Sequence, residues 1–158
     1  GYSRYLKRLL AADPHLLSTP ELDQAFTAGA MQAELERAGI SDDRSLGRAL
    51  RRLRQRVLAR LIARDLGGRA ELGEVVATVT GLAEVAIRTA TAQLHRDLAA
   101  VHGEPRGATD GTPQQLHVVG MGKLGGAELN ASSDIDLVLV YPEDGETGGD
   151  RPLSNHEF

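Results

Sequence analysis

Two aspartates separated by one residue are the part of this sequence best suited to chemistry. Asp134 and Asp136 stand at the start of an apolar run that ends at Tyr141. Side chains of a strand alternate between its faces, so we expect both carboxylates on one face, about 7 Å apart. Because Mg²⁺ prefers oxygen ligands and retains substrate phosphates in its shell, this pair predicts a magnesium site. An Asp-x-Asp pattern alone also fits the solvated acidic start of an ordinary strand.

A glycine-rich segment just before the aspartates favours the chemical interpretation. Residues 120–126 read Gly-Met-Gly-Lys-Leu-Gly-Gly. Glycines let backbone N–H groups approach an anion closely, and Lys123 adds a positive charge suited to phosphate. Ser132 and Ser133 can donate hydrogen bonds to phosphate or cap a turn. Carboxylates for a metal beside a loop for phosphate suit an in-line phosphoryl or nucleotidyl transfer.

Two other phosphate-binding patterns fit this loop less well. Gly120, Gly122 and Gly125 have the spacing of a dinucleotide-binding fingerprint. That fingerprint must open a helix that crosses back over the sheet, which normally takes about a dozen residues or more. Only residues 127–133 separate the glycines from Asp134. The loop also lacks the spacing and the Ser or Thr of a Walker motif.

Residues 120–137, which read GMGKLGGAELNASSDIDL, resemble the signature of the glutamine synthetase adenylyltransferase/adenylyl-removing enzymes. That family belongs to the polymerase-β-like nucleotidyltransferases. Residues 50–67 and 82–90 also resemble the family's stretch ahead of the signature, and the resemblance weakens before Leu46. The sequence GMGKLGG followed by SSDIDL is more similar to that of the N-terminal, AMP-removing half of these enzymes. The AMP-adding half more often has GYGKLGG followed by SDLDL.

The resemblance implies a function, a cofactor and partners. In such enzymes one half adds AMP from ATP to a tyrosine of glutamine synthetase, and the other removes it by phosphorolysis, which yields ADP. By resemblance, Asp134 and Asp136 are the catalytic Mg²⁺ ligands. The residues implied to face phosphate or nucleotide are Gly122, Lys123, Gly125, Gly126 and Ser133. Glutamine synthetase and a PII-type regulatory protein are the implied partners of the parent chain, in the cytoplasm.

Two departures from the superfamily pattern limit what this chain is expected to do alone. The superfamily has a third carboxylate on a later strand, and no such strand follows within these 158 residues. Only seven residues separate the glycine pair from Asp134, which is closer than is usual in the superfamily and leaves open which glycines contact phosphate. We therefore expect a fragment of a larger enzyme that is inactive by itself.

The helices and strands that must position these residues can be predicted from the sequence pattern, which indicates an α+β fold. We expect a helical region at residues 1–102, a linker at 103–113, and the start of a truncated nucleotidyltransferase domain at 114–158. That domain should contribute its first two strands, near residues 115–120 and 135–141, because the apolar period changes there from 3.6 to 2.

Caps and terminators divide the helical region. We expect helices at residues 2–12, from Thr19 or Pro20 to Ala38 with Gly39 as terminator, from a Ser41 cap to Gly67, and at residues 71–102. The last of these is weakened at Thr78, Thr80 and Gly81, so it is either one helix or two with Thr80 as a cap.

The third predicted helix has the clearest apolar stripe. Its members are Leu46, Leu50, Leu53, Val57 and Leu61. Arginines between residues 48 and 64 cover the rest of its surface. We interpret this arginine-rich side of the helix as a face exposed to solvent rather than as a binding surface for an anionic partner.

Composition narrows the remaining function classes. The chain has 41% hydrophobic and 25% charged residues and a net charge of −4. It contains no cysteine, and this excludes a disulfide scaffold and a zinc–thiolate site. The negative charge and 3% aromatic content disfavour nucleic-acid binding. No uncharged apolar run approaches the roughly 20 residues that cross a bilayer, so we expect no membrane partner. The alternative to an enzyme fragment is a helical protein-interaction module without catalysis.

Overall fold

A computed structural model of the chain describes residues 3–17 and 22–158. Four helices come first: α1 (Arg4–Ala12), α2 (Ala28–Arg37), α3 (Asp43–Leu66) and α4 (Leu72–His102). The strands and one short helix follow: β1 (Pro105–Gly107), β2 (His117–Gly120), α5 (Gly122–Gly125), β3 (Leu137–Val140) and β4 (Gly145–Thr147). The predicted α+β class, with the helices first, is confirmed.

The second helix is shorter than the sequence suggested. Its predicted start at Thr19 and Pro20 lies outside the described residues, and the observed α2 begins at Ala28. The Thr27 hydroxyl oxygen caps it by accepting a hydrogen bond from the Ala30 N–H at 3.3 Å. Gly39 follows the helix with a φ of +63°, the left-handed geometry expected of a glycine terminator.

The third helix begins one residue later than predicted. Asp42, not Ser41, is the cap: its carboxylate accepts a hydrogen bond from the Ser45 N–H at 2.6 Å. The Ser45 hydroxyl oxygen in turn accepts from the Asp42 N–H at 3.0 Å. This reciprocal capping box satisfies two N–H groups that would otherwise lack partners. The far end of α3, at Gly67, lies where its glycine terminator was predicted.

The main core lies where α2, α3 and α4 meet, as an apolar stripe on α3 predicts. The buried residues that form it are Phe26, Met31, Leu35, Leu53, Val57 and Val85. Leu46 and Leu61 of the predicted stripe are also buried, and Leu50 packs against the core while partly exposed. Phe26 contributes an aromatic ring to this otherwise non-aromatic core.

Several arginines of α3 bind within the chain. Arg56 forms an ion pair with Glu34 at 2.7 Å, and Arg60 donates two hydrogen bonds to the Gln24 carbonyl at 2.6 and 2.9 Å. Both guanidinium groups lie over the ring of Phe26, 5.1 to 5.8 Å from its centroid. On the side of α3 that faces α2, arginines therefore make specific contacts within the chain and are not simply exposed to solvent.

The fourth helix is continuous for 31 residues, so the division considered at Thr80 does not occur. Thr78, Thr80 and Gly81 are buried, and packing there outweighs their weak helix propensity. A Cβ on Gly81 would lie 3.2 Å from the Cβ of Ala28, so the glycine lets α2 approach closely. By length and composition α4 could also cross a membrane, a test that core helices of soluble proteins pass as well.

The strands form two separate antiparallel pairs. β2 pairs with β3, with His117 opposite Val140 and Gly120 opposite Leu137. Both strands were predicted, although each begins two residues later than expected. β1 pairs with β4, so residues 103–113 are not a plain linker, and the chain has two strands beyond the two that were predicted.

Candidate functional site

The glycine-rich segment makes a tight turn between β2 and α5. A Cβ on Gly120 would lie 2.7 Å from the Cγ of Leu124, and a Cβ on Gly125 would lie 2.5 Å from the Gly120 carbonyl oxygen. Both positions therefore need glycine for packing within the turn. Gly126 has only ordinary contacts, the nearest at 3.5 Å, and Gly122 has a φ of +53°.

The backbone of α5 limits which N–H groups can meet an anion. The Gly125 N–H donates to the Met121 carbonyl at 3.3 Å, and the Gly126 N–H donates to the Gly122 carbonyl at 3.0 Å. Both N–H groups are therefore engaged inside the turn. The first N–H groups of a helical turn have no partner within it, so those of Gly122 and Lys123 are the available donors.

Lys123 places its side chain in solvent at the surface of this turn. The residue is exposed, and its carbonyl accepts a hydrogen bond from the Glu128 N–H at 2.7 Å. Within residues 3–17 and 22–158 its ammonium group has no hydrogen bond or ion pair. The charge is thus available to a ligand, and its predicted contact with phosphate stays a prediction.

A second turn, organised by Asn130, carries the two serines. The Asn130 N–H donates to the Ser133 hydroxyl oxygen at 3.2 Å, while the Ser133 N–H donates to the Asn130 carbonyl at 3.1 Å. The Asn130 side-chain oxygen accepts from the N–H and the hydroxyl of Ser132. An Asn followed by small polar residues is typical of such a turn, so the sequence contained this information.

The two aspartates come directly before β3 and are exposed. The Met121 N–H donates to the Asp136 carbonyl at 2.9 Å, which continues the β2–β3 ladder one residue and ties the glycine loop to the aspartates. Neither carboxylate has a hydrogen bond or ion pair with any described residue. These oxygens are therefore unclaimed and chemically suited to Mg²⁺.

A buried leucine fixes the segment between the two turns. Leu129 is 1% exposed, and its N–H donates to the Thr80 hydroxyl oxygen of α4 at 3.3 Å. Neither contact has a signal in the sequence, since residues 49 positions apart along the chain form no local pattern. The helical region therefore holds the segment that connects the glycine loop to the aspartates.

An open groove of about 710 Å³ separates α4 from the inner side of this region. Gly120, Gly125 and Leu137 line one wall, and Glu84, Arg88 and His95 are among the α4 residues of the other. In the described residues no group of three or more His, Cys, Asp or Glu side chains could hold a metal. The glycine turn therefore borders an open groove through Gly120 and Gly125, whereas Asp134, Asp136 and Lys123 are not among the residues that line it.

Comparison with known proteins matches the whole chain to one family. A family model described as "Glutamate-ammonia ligase adenylyltransferase" matches residues 1–158. A "Bifunctional glutamine synthetase adenylyltransferase/adenylyl-removing enzyme" from Nitrosomonas europaea is 50% identical over 99% of this chain. Proteins with the same description from Chromobacterium violaceum and Bordetella pertussis are 51% and 47% identical over 99% and 100% of it. In each case the chain spans only 18% of the relative's length.

Proposed function

Because the chain belongs to the glutamate–ammonia ligase adenylyltransferase family, we propose that it is part of a bifunctional enzyme that adenylylates and deadenylylates glutamine synthetase. Within that enzyme it contributes to the half that removes AMP from adenylyl-tyrosine by phosphorolysis. The wording of residues 120–137, GMGKLGG followed by SSDIDL, supports this choice of half. The unbroken match along the whole chain supports the family function.

In this proposal each residue of the site has a distinct task. Asp134 and Asp136 hold Mg²⁺, which when bound neutralises negative charge on the phosphate groups that react. Lys123 attracts phosphate and orients it, together with the N–H groups of Gly122 and Lys123. Ser133 shapes the turn that presents the aspartates. Gly125 and Gly126 contribute through the shape of the loop, because their N–H groups are engaged within it.

The substrates and partners follow from the same proposal. Phosphate and adenylylated glutamine synthetase are consumed, ADP is released, and ATP serves the opposite reaction of the parent enzyme. A PII-type regulatory protein acts through the parent chain, and the enzyme works in the cytoplasm. The absence of cysteine is compatible with a reducing compartment.

The observation that carries the proposal is a pair of exposed carboxylates beside a glycine–lysine turn, which is joined to them by the hydrogen bond from the Met121 N–H to the Asp136 carbonyl. Its test is Asp134→Asn and Asp136→Asn in the full-length parent, assayed for phosphate-dependent ADP release from adenylylated glutamine synthetase. We expect each variant to lose about 100-fold or more, since an amide lacks the charge that a metal ligand supplies. Asp150→Asn, an exposed aspartate outside the site, is the matched control.

Transfer of AMP from ATP to glutamine synthetase, measured on the same variants, identifies the half. Retained AMP addition with lost AMP removal is the expected result. Loss of addition with retained removal would mean that the chain belongs to the other half. Full retention of both activities by folded variants would instead favour a helical interaction module without catalysis.

A further inference from the structure

The first third of α4 contains residues that an isolated helix would avoid. Thr78, Thr80 and Gly81 follow one another closely inside a 31-residue helix, where β-branched residues and glycine weaken helical structure. Gly81 has a packing reason, because α2 approaches it at Ala28. Thr80 is 5% exposed, and the contact that accounts for a threonine at this position is made with the strand-containing part of the chain.

The Thr80 hydroxyl oxygen accepts a hydrogen bond from the buried Leu129 N–H at 3.3 Å. A buried N–H without a partner is strongly unfavourable, so this acceptor fixes where the Leu129 backbone can lie. The Leu129 side chain is 1% exposed, which anchors the same residue a second time. A valine at position 80 would keep the shape of the side chain but remove the acceptor.

Leu129 lies between the two halves of the candidate site. On its N-terminal side the Glu128 N–H donates to the Lys123 carbonyl at 2.7 Å. On its C-terminal side the Asn130–Ser133 turn leads directly into Asp134. A displacement of the Leu129 backbone would therefore move the lysine turn relative to the aspartates.

We propose that Thr80 is a positioning residue of the site: through the Leu129 N–H it sets the separation of the Lys123 turn from Asp134 and Asp136. This inference rests on the proposed function, in which those groups hold phosphate and Mg²⁺. Small misplacements of groups that orient a reacting phosphate cost large factors in rate. Thr80 itself touches no substrate in this role, and its effect passes entirely through the backbone of residues 128–130.

The test compares three variants of the full-length parent. Thr80→Val removes the acceptor, Thr80→Ser keeps it, and Thr78→Val alters a threonine on the same helix that is buried to a similar degree. For phosphate-dependent ADP release from adenylylated glutamine synthetase, we expect Thr80→Val to lower kcat about tenfold or more. Thr80→Ser should retain most of the parent's kcat, and Thr78→Val should leave kcat within about twofold of the parent.

Amide hydrogen exchange at Leu129 provides the readout that does not depend on activity. We expect this amide to be protected in the parent, in Thr80→Ser and in Thr78→Val, and to exchange faster in Thr80→Val. Faster exchange with unchanged kcat would overturn the positioning role, as would an equal loss of kcat in Thr78→Val. Unchanged exchange in Thr80→Val would overturn the hydrogen bond itself.

Asp134→Asn, assayed alongside, separates this inference from the proposed function. If Asp134→Asn keeps full activity, the proposed metal site fails and the positioning role fails with it. If Asp134→Asn is inactive while Thr80→Val keeps its kcat, the proposed function stands and only the role of Thr80 is overturned.

Discussion

At the scale of single residues, the glycine turn separates residues that shape the loop from residues that can meet a ligand. The resemblance implies that Gly125 faces phosphate; in the structure a Cβ at this position would meet the Gly120 carbonyl oxygen, and the Gly125 N–H is engaged inside the turn. The Lys123 side chain and the N–H of Gly122 have no partner among the described residues, and their contact with phosphate stays a prediction. A glycine in a phosphate-binding signature can therefore be required for packing rather than for contact with the anion.

The two adjacent glycines allow this distinction to be tested. We expect Gly125→Ala to destabilise the chain by about 1–3 kcal/mol, because the new Cβ would meet a backbone oxygen that cannot move aside easily. Gly126→Ala is the control, since its Cβ would make only ordinary contacts. Urea denaturation of both variants measures the difference in the free energy of unfolding. Equal midpoints for the two variants would contradict a packing role for Gly125.

At the scale of elements, one buried arginine joins α3 to the start of α4. The Arg64 guanidinium donates to both carboxylate oxygens of Glu74 at 2.6 and 2.8 Å, and to the carbonyls of Leu22 and Arg69. Hydrogen bonds from Arg64 lower the pKa of the Glu74 carboxyl below its usual value. Arg64 thus ties the end of α3 to the start of α4 and also to the segment before α2.

This ion pair predicts a pH-dependent stability. Because the folded-state pKa of Glu74 is lowered, its contribution is complete above the unfolded-state pKa of about 4.3 and is lost as the pH falls through the folded-state pKa. We expect Glu74→Gln to cost about 2 kcal/mol at pH 7, with the difference from the parent shrinking below about pH 4. The free energy of unfolding, measured in urea from pH 7 to pH 3, checks this.

Glu84→Gln is the matched control for that series, since Glu84 lies exposed on the same helix. Its stability should follow the parent at every pH. A Glu74→Gln deficit that stays constant down to pH 3 would show that the loss comes from packing and not from the carboxylate charge.

At the scale of the whole molecule, charge is divided between the two parts of the chain. Residues 1–102 contain fifteen basic and twelve acidic residues, whereas residues 103–158 contain three basic and ten acidic ones. The part that carries the candidate site is therefore strongly acidic. Such a surface attracts a divalent cation and repels a nucleotide that arrives without one.

The β2–β3 pair also exposes apolar surface on both faces. Val138 is 45% exposed and Leu139, its neighbour on the other face, is 61% exposed. Two four-residue strands are marginal as an independent sheet, and the groove beside them is open. An open site of this kind cannot exclude water or hold a substrate in one geometry.

We therefore expect the 158-residue chain alone to be inactive. It should not release ADP from adenylylated glutamine synthetase, and it should bind Mg²⁺–ATP or Mg²⁺–ADP only weakly, because two carboxylates leave most of the metal coordination to water. Turnover assays of the purified chain, with calorimetry for the nucleotides, measure both. Robust turnover, or micromolar binding that depends on Mg²⁺, would show that the site is complete within these residues.

Features that depend on neighbouring residues could be predicted from the sequence alone. The apolar stripe from Leu46 to Leu61 predicted α3 and its buried face, and Gly39 predicted the end of α2. The signature at residues 120–137 indicated the family through residue types and their spacing. Each depends on residues within a few turns of helix or one loop, where such local patterns are sufficient.

The remaining features required the folded chain, because they join residues that are distant in sequence. The continuity of α4 through Thr80 depends on packing against Ala28 and Leu129, which outweighs local helix propensity. β1 pairs with β4 across about forty residues, so no short hairpin turn in the sequence could predict the pairing. The candidate site is divided in the same way: the sequence supplied its carboxylates and lysine, whereas the hydrogen bond from the Leu129 N–H to Thr80 on a distant helix appears only in the folded chain.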